Sequence, residues 1–178
     1  MPYALDNDIY ACWSQDQTWS EDDYFKGLDQ IVMEKHQPMW AAVPDAIGDR
    51  DTTLKRWDKY ADRISKYNWP MAIVVQDGMT TSDIPNEADM IFVGGSTEWK
   101  WRNLNAWFEC GKRVHVGRVN SMHRLWLCHD LGVESIDGTG WFRDGDDNKR
   151  LLRIEDYFKR ERPAETMELF STDNLCLT

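Results

Sequence analysis

The chain contains no CxxC pair; its four cysteines, Cys12, Cys110, Cys128 and Cys176, stand far apart. No disulfide framework or close thiolate metal cluster can be read from that spacing, so a reducing compartment is the simpler expectation. Long apolar runs are also missing, and a membrane-crossing helix would need about 20 such residues. The opening MPYALDND has no basic flank leading into an apolar stretch. The expectation is therefore no signal peptide, a soluble cytoplasmic protein and no membrane partner. Positive charge is scarce: 21 Lys+Arg face 31 Asp+Glu, a net charge of −10. That excludes a generally basic, nucleic-acid-coating protein but leaves room for a local basic patch. No repeat with a period of about 20 to 50 residues and no low-complexity tract is present.

What is present suits one globular domain. The 178 residues are 42% hydrophobic and 29% charged, enough to bury a core without staples. A complete eight-unit barrel takes about 250 residues, so a full-size one is not expected. The predicted organisation is an α/β domain over residues 1–160 and a C-terminal tail over 161–178.

Short apolar runs alternate with helical patterns. Tyr24, Phe25, Leu28, Ile31 and Val32 recur at helical spacing between Trp19 and Gln37, with Ser20 as N-cap and Pro38 as the stop. Met39–Val43 is a strand-like run closed by Pro44-Asp45, and a second helix is predicted from about Asp51 to Tyr67. Met71–Val75 and Met90–Val93 read as buried strands. A helix from about Thr97 to Cys110 follows, then a strand over Val114–Val116. A helix from about Ser121 to Leu131 and a strand over Val133–Ile136 complete the series. Five strands are counted, with a sixth if Tyr3–Leu5 forms one. Past Asp137, RDGDDNKR reads as a turn and a helix is predicted near Leu151–Arg160. Runs apolar on both faces, separated by helices, predict mostly parallel strands covered by helices.

In such folds ligands sit beyond the C-terminal ends of the strands. The residues at those positions are Asp6 and Asn7, Asp45, Gln76 and Asp77, Gly94 and Gly95, Arg118 and Asn120, and Asp137. Asp and Gly are ordinary turn residues, so no single position identifies a site; their recurrence at six successive strand ends is what carries weight. Carboxylates accept from amine and imide N–H groups, while Gln76 and glycine amides donate to a carbonyl. A guanine-like edge offers that combination, and a further carboxylate can attack an electrophilic sugar carbon.

The segments ALDN (4–7), VPDAIGD (43–49), VVQDG (74–78), FVGGSTEWK (92–100), HVGRVNS (115–121) and SIDGT (135–139) resemble the queuine/archaeosine tRNA-guanine transglycosylases. The resemblance is closer to their shorter relatives that insert 7-deazaguanines into DNA. It implies an abbreviated or incomplete TIM-like (β/α) barrel, or one completed across a homodimer. It implies exchange of guanine in DNA or tRNA for a 7-deazaguanine such as preQ0, through a covalent sugar–enzyme intermediate. Asp137 matches the nucleophile, Asp6 the proton-transfer aspartate, and Asp45 the aspartate that binds the base edge. Gln76, Gly94 and Gly95 match groups facing the base oxygen. The family's structural zinc site of three cysteines and a histidine has no match here, so no metal and no cofactor are expected. Asp6 is followed by Asn7-Asp8-Ile9-Tyr10 rather than a glycine-rich turn, and the match begins at residue 4, without the family's first strand.

Several positions have ordinary explanations alongside functional ones. Asp49 suits a helix cap, Asp77 a turn, and Glu98 either a cap or a ligand contact. Arg118, with Asn120 near it, suits a phosphate contact or an ion pair. His115 reads as a structural imidazole inside a strand, and His36, His123 and His129 share no ligand spacing. Trp57 and Trp107 fit packed helix faces; Trp13, Trp19, Trp99, Trp101 and Trp141 lie near loops or helix starts. Lys100, Arg102, Lys112 and Arg113 form one basic group, and Lys149, Arg150 and Arg153 another. Two other functions stay open: an N-glycosidase or nucleoside-level transferase with the same pocket, and a non-catalytic domain that binds a base, a nucleotide or a protein.

Overall fold

The computed structural model describes residues 2–140 and 154–160. The 143–150 turn, the start of the predicted 151–160 helix, the second basic group, Trp141, Cys176 and the 161–178 tail lie outside the described residues. The chain divides into two compact units, Met1–His115 and Val116–Thr178.

The first unit is α/β. Its elements are α1 (Ile9–Ser14), α2 (Glu21–Ile31), β1 (Ala41–Ala42), α3 (Arg50–Ile64), β2 (Met71–Val75), β3 (Met90–Val93), α4 (Thr97–Asn103) and most of β4 (Arg113–Val116). The strand order follows the chain, β1-β2-β3-β4. β1 pairs parallel to β2 through Ala41 with Met71, and β2 pairs parallel to β3 from Ala72–Met90 to Val75–Val93. Leu5 adds an isolated parallel bridge to Ala41 in place of a sixth strand. Every residue of β2 and β3 is buried, the state expected of parallel strands covered on both faces.

The two faces separate by the strand period of two. Trp40, Ala42, Ala72, Val74, Met90 and Phe92 form one apolar cluster. His115 is buried beside it, with ring centroids 4.9 Å from Trp40 and 4.5 Å from Phe92, consistent with a structural imidazole. α3 packs on β2 and buries Trp57, Tyr60, Ala61 and Ile64.

The helix ends follow local chemistry. Ser20 accepts from the Asp23 N–H to start α2, and Asp49 accepts from the Thr52 N–H at 2.9 Å to start α3. Each satisfies a donor that the first helical turn leaves open. The predicted Thr97–Cys110 helix splits: after Asn103 the chain tightens to a 3-10 helix, Leu104–Cys110. The Asn103 amide donates to the Trp99 carbonyl at 2.7 Å and so competes for a helical acceptor.

The second unit holds α5 (Met122–Asp130), capped by Ser121, and β5 (Ser135–Ile136). The Asp137 N–H donates to the Val116 carbonyl at 3.2 Å, tying the end of β5 to the last residue of β4. Residues 154–159 are helical. Among the described residues no helix is long and apolar enough to cross a membrane, and no group of three His, Cys, Asp or Glu is placed to hold a metal ion.

Candidate functional site

Within the first unit, the residues that follow β1, β2 and β3 meet around the Asp45 carboxylate. Asp45 is 3% exposed, Gln76 2% and Asn7 2%. The Asn7 amide donates to Asp45 Oδ1 at 2.9 Å and to the Val43 carbonyl at 3.2 Å. The Gln76 amide donates to Asp45 Oδ2. Backbone groups fix the polarity of this chain of bonds. The Ile9 N–H donates to Asn7 Oδ1 at 3.0 Å, and the Gly48 N–H donates to Gln76 Oε1 at 3.0 Å. Both amides therefore present their NH2 groups to Asp45, because turning either around would set donor against donor.

Asp45 receives opposing influences. Burial raises its pKa to about 6; hydrogen bonds from Asn7, its own backbone and Gln76 pull it down, and the nearby Asp6 charge pushes it up. Loss of water outweighs the bonds here. The result is a carboxylate that changes charge near neutrality and accepts on both oxygens. Each oxygen has two acceptor directions, so the pair retains capacity for a ligand edge rich in N–H groups.

Gly94 and Gly95 continue the same edge. A Cβ on Gly94 would lie 3.1 Å from Gln76 Nε2 and 3.0 Å from Val74 Cγ1, so any side chain there would make these neighbours give by a few tenths of an ångström. Gly95 has φ +67°, and a Cβ there would lie 2.6 Å from the Trp99 ring. Asp77 is used structurally: its carboxylate accepts from the Ser96 N–H at 2.6 Å and the Ser96 hydroxyl at 2.5 Å, holding the start of α4. Glu98 pairs with Arg102 at 2.6 Å on the exposed side of that helix. Asp49 serves as the α3 cap, with its carboxyl held below the usual range by the Thr52 hydrogen bonds. Asp6 is exposed, and its Oδ1 accepts from the Asn7 N–H at 2.7 Å.

The second unit gathers Arg118, Asn120 and Asp137. The Arg118 N–H donates to Asp137 Oδ1 at 2.7 Å. The Val119 N–H donates to the Asp137 carbonyl, also at 2.7 Å. Arg118 has φ 58°, a conformation that costs a residue with a Cβ about 1 kcal/mol or more and that aims its N–H at the carboxylate. The Asn120 side-chain oxygen accepts from the Gly140 N–H at 2.8 Å. Asp137 is exposed, with its backbone pinned on both sides and one carboxylate oxygen oriented.

Three supporting residues were not marked as site residues by the sequence, Trp19 being noted only as a tryptophan near a helix start. Arg56 donates to the Asp45 carbonyl; the Trp19 indole N–H donates to the Asn7 carbonyl at 2.8 Å; Thr53 Oγ1 accepts from the Ala46 N–H at 3.0 Å. Thr53 and Arg56 lie on the early turns of α3, and their spacing from Asp45 belongs to no motif, so only the fold reveals the connection.

Comparison of the chain with protein-family models, curated proteins and solved structures found no match.

Proposed function

We propose that this chain is a nucleobase-exchange glycosyltransferase on an abbreviated TIM-like barrel, replacing guanine in DNA or RNA by a 7-deazaguanine. The observation that carries this reading is the buried Asp45 carboxylate, flanked by Asn7 and Gln76 amides and edged by the close-approach Gly94. The order of the six quoted segments along the chain supports it as well.

In this mechanism the Asp137 carboxylate attacks C1′ of the target nucleotide. The glycosidic bond breaks, its electron pair stays on the guanine ring, and Asp6 supplies the proton that neutralises it. The incoming base then loses its ring proton to Asp6 and attacks C1′, releasing Asp137. Asp45 accepts from the N–H groups of the base edge. Gln76 stabilises charge developing on the base oxygen. The Gly94 N–H already donates to the Val75 carbonyl at 3.1 Å, so Gly94 serves by close approach rather than as a donor. In a duplex the base leaves its stack before C1′ is reached. Arg118 and Asn120 serve the backbone phosphate. A homodimer is the proposed means of completing the barrel, and no cofactor enters the reaction.

A second reading, a domain that binds a base without exchanging it, is favoured by one observation. Both Asp45 oxygens are already engaged and the group is 3% exposed, so entry of a base requires the Gln76 contact to open.

Exchange of isotopically labelled guanine or preQ0 into DNA, tRNA and free nucleosides tests the proposal. Incorporation into a polymer supports it. Release of free base alone indicates an N-glycosidase, incorporation into nucleosides only a nucleoside-level transferase, and binding without either a non-catalytic domain.

A further inference from the structure

Asp45 and Asn7 come from different segments, which backbone bonds set side by side: the Leu5 N–H donates to the Trp40 carbonyl at 3.0 Å and the Ala42 N–H to the Leu5 carbonyl at 2.8 Å. That pairing stops at Leu5 and Ala42, short of both residues. The Trp19 indole touches Asn7 directly and reaches Asp45 through Arg56. Its edge N–H donates to the Asn7 carbonyl at 2.8 Å. Its face lies 5.7 Å from the guanidinium carbon of Arg56, the same guanidinium that donates to the Asp45 carbonyl. The ring is seated by Tyr24 and Tyr60, with centroids 5.8 and 6.0 Å away. One side chain therefore couples the main chains on both sides of the Asn7–Asp45 bond, through one hydrogen bond and one cation–π contact.

Asn7 is saturated by this arrangement. Its N–H goes to Asp6, its carbonyl takes Trp19, its side-chain oxygen takes Ile9, and its amide serves Val43 and Asp45. An amide with every group engaged has no alternative rotamer of equal energy. Removing one bond loosens the one that matters, the donation to Asp45 Oδ1.

We infer that Trp19 and Arg56 are positioning residues that hold the Asn7 amide and the Asp45 carboxylate in register to receive an N–H-rich ligand edge. The use of that register by a base rests on the proposed function; the register itself does not. Neither residue touches the base in this scheme; both act through Asn7 and Asp45.

The test compares Trp19→Phe, Arg56→Ala and Arg56→Lys with the unaltered protein. The Asp45 carboxyl midpoint is followed by 13C NMR, thermal unfolding is followed in parallel, and guanine and preQ0 affinities are measured. Trp19→Phe is the decisive variant because it removes the N–H while keeping an aromatic ring and every charge. Its Asp45 midpoint is expected to rise by about half a unit or more as the Asn7 bond loosens, with base affinity falling roughly tenfold. Arg56→Ala is expected to do the same, and Arg56→Lys to restore part of the loss. An Asp45 midpoint unmoved in Trp19→Phe overturns the inference, whether or not the melting temperature falls, because a simple packing role lowers stability without touching the titration. If the unaltered protein binds no base, the proposed function fails, and the titration still decides the positioning role.

Discussion

Asp45 makes stability depend on pH in a direction opposite to that of most carboxylates. Its pKa is raised from 3.8 to about 6, chiefly by burial, so the folded state holds the proton more tightly than the unfolded state does. The stabilisation is complete below the unfolded pKa and is lost as pH rises through about 6. At 1.36 kcal/mol per unit, a rise of about two units amounts to about 3 kcal/mol, of which about 1.5 kcal/mol is lost between pH 5 and pH 8. Asp45→Asn carries no titrating group at this position. Its amide opposes a donor from Asn7 or Gln76, but that penalty is constant with pH. Urea unfolding of both proteins, followed by tryptophan fluorescence, isolates the effect. Carboxylates not coupled to Asp45, such as the Arg50-paired Asp83 with its lowered pKa, titrate alike in both and cancel. The free-energy gap is expected to move toward the variant by about 1.5 kcal/mol from pH 5 to pH 8. A constant gap, or one moving the other way, would refute the reasoning that burial outweighs the amide donors.

Three further outcomes follow from the same geometry. Asn7→Ala leaves the Ile9 N–H, the Val43 carbonyl and one Asp45 oxygen short of partners, and chemical denaturation should register a loss of about 3 kcal/mol. Gly95→Ala meets both a left-handed φ and the Trp99 ring at 2.6 Å, whereas Gly48→Ala, at φ +66°, meets nothing within 4 Å. The first should cost about 3 kcal/mol and the second about 1 kcal/mol in the same assay. Calorimetric titration with guanine or preQ0 should show affinity rising about tenfold per pH unit up to about 6 and levelling above it, because only ionised Asp45 accepts from both N–H groups.

The strands most legible in the sequence were those whose runs are buried on both faces. Met71–Val75 and Met90–Val93 match β2 and β3 residue for residue, since nothing polar interrupts them and the turn residues beside them are unambiguous. Helix ends were less legible where burial rather than capping decides them. α2 stops at Ile31 instead of continuing toward Gln37, because Val32 and Met33 are 40% and 85% exposed and offer no buried face to extend. α1 was missed: it has six residues and buries only Ile9, too few for a periodic pattern. In the candidate site, Asp45, Gln76 and Gly94 were marked by their place after apolar runs. Their mutual hydrogen bonds, and the Trp19–Arg56 brace behind them, depend on side-chain directions set by the folded backbone, which a linear spacing does not encode.

The most direct measurement is intact-protein mass spectrometry after incubation with guanine-containing DNA, RNA or nucleosides and acid quenching. An adduct heavier by the nucleic acid less its guanine is expected on the unaltered chain, chased away by preQ0 and absent from Asp137→Asn. No adduct with any of these substrates, or an adduct that persists in Asp137→Asn, would contradict base exchange through Asp137.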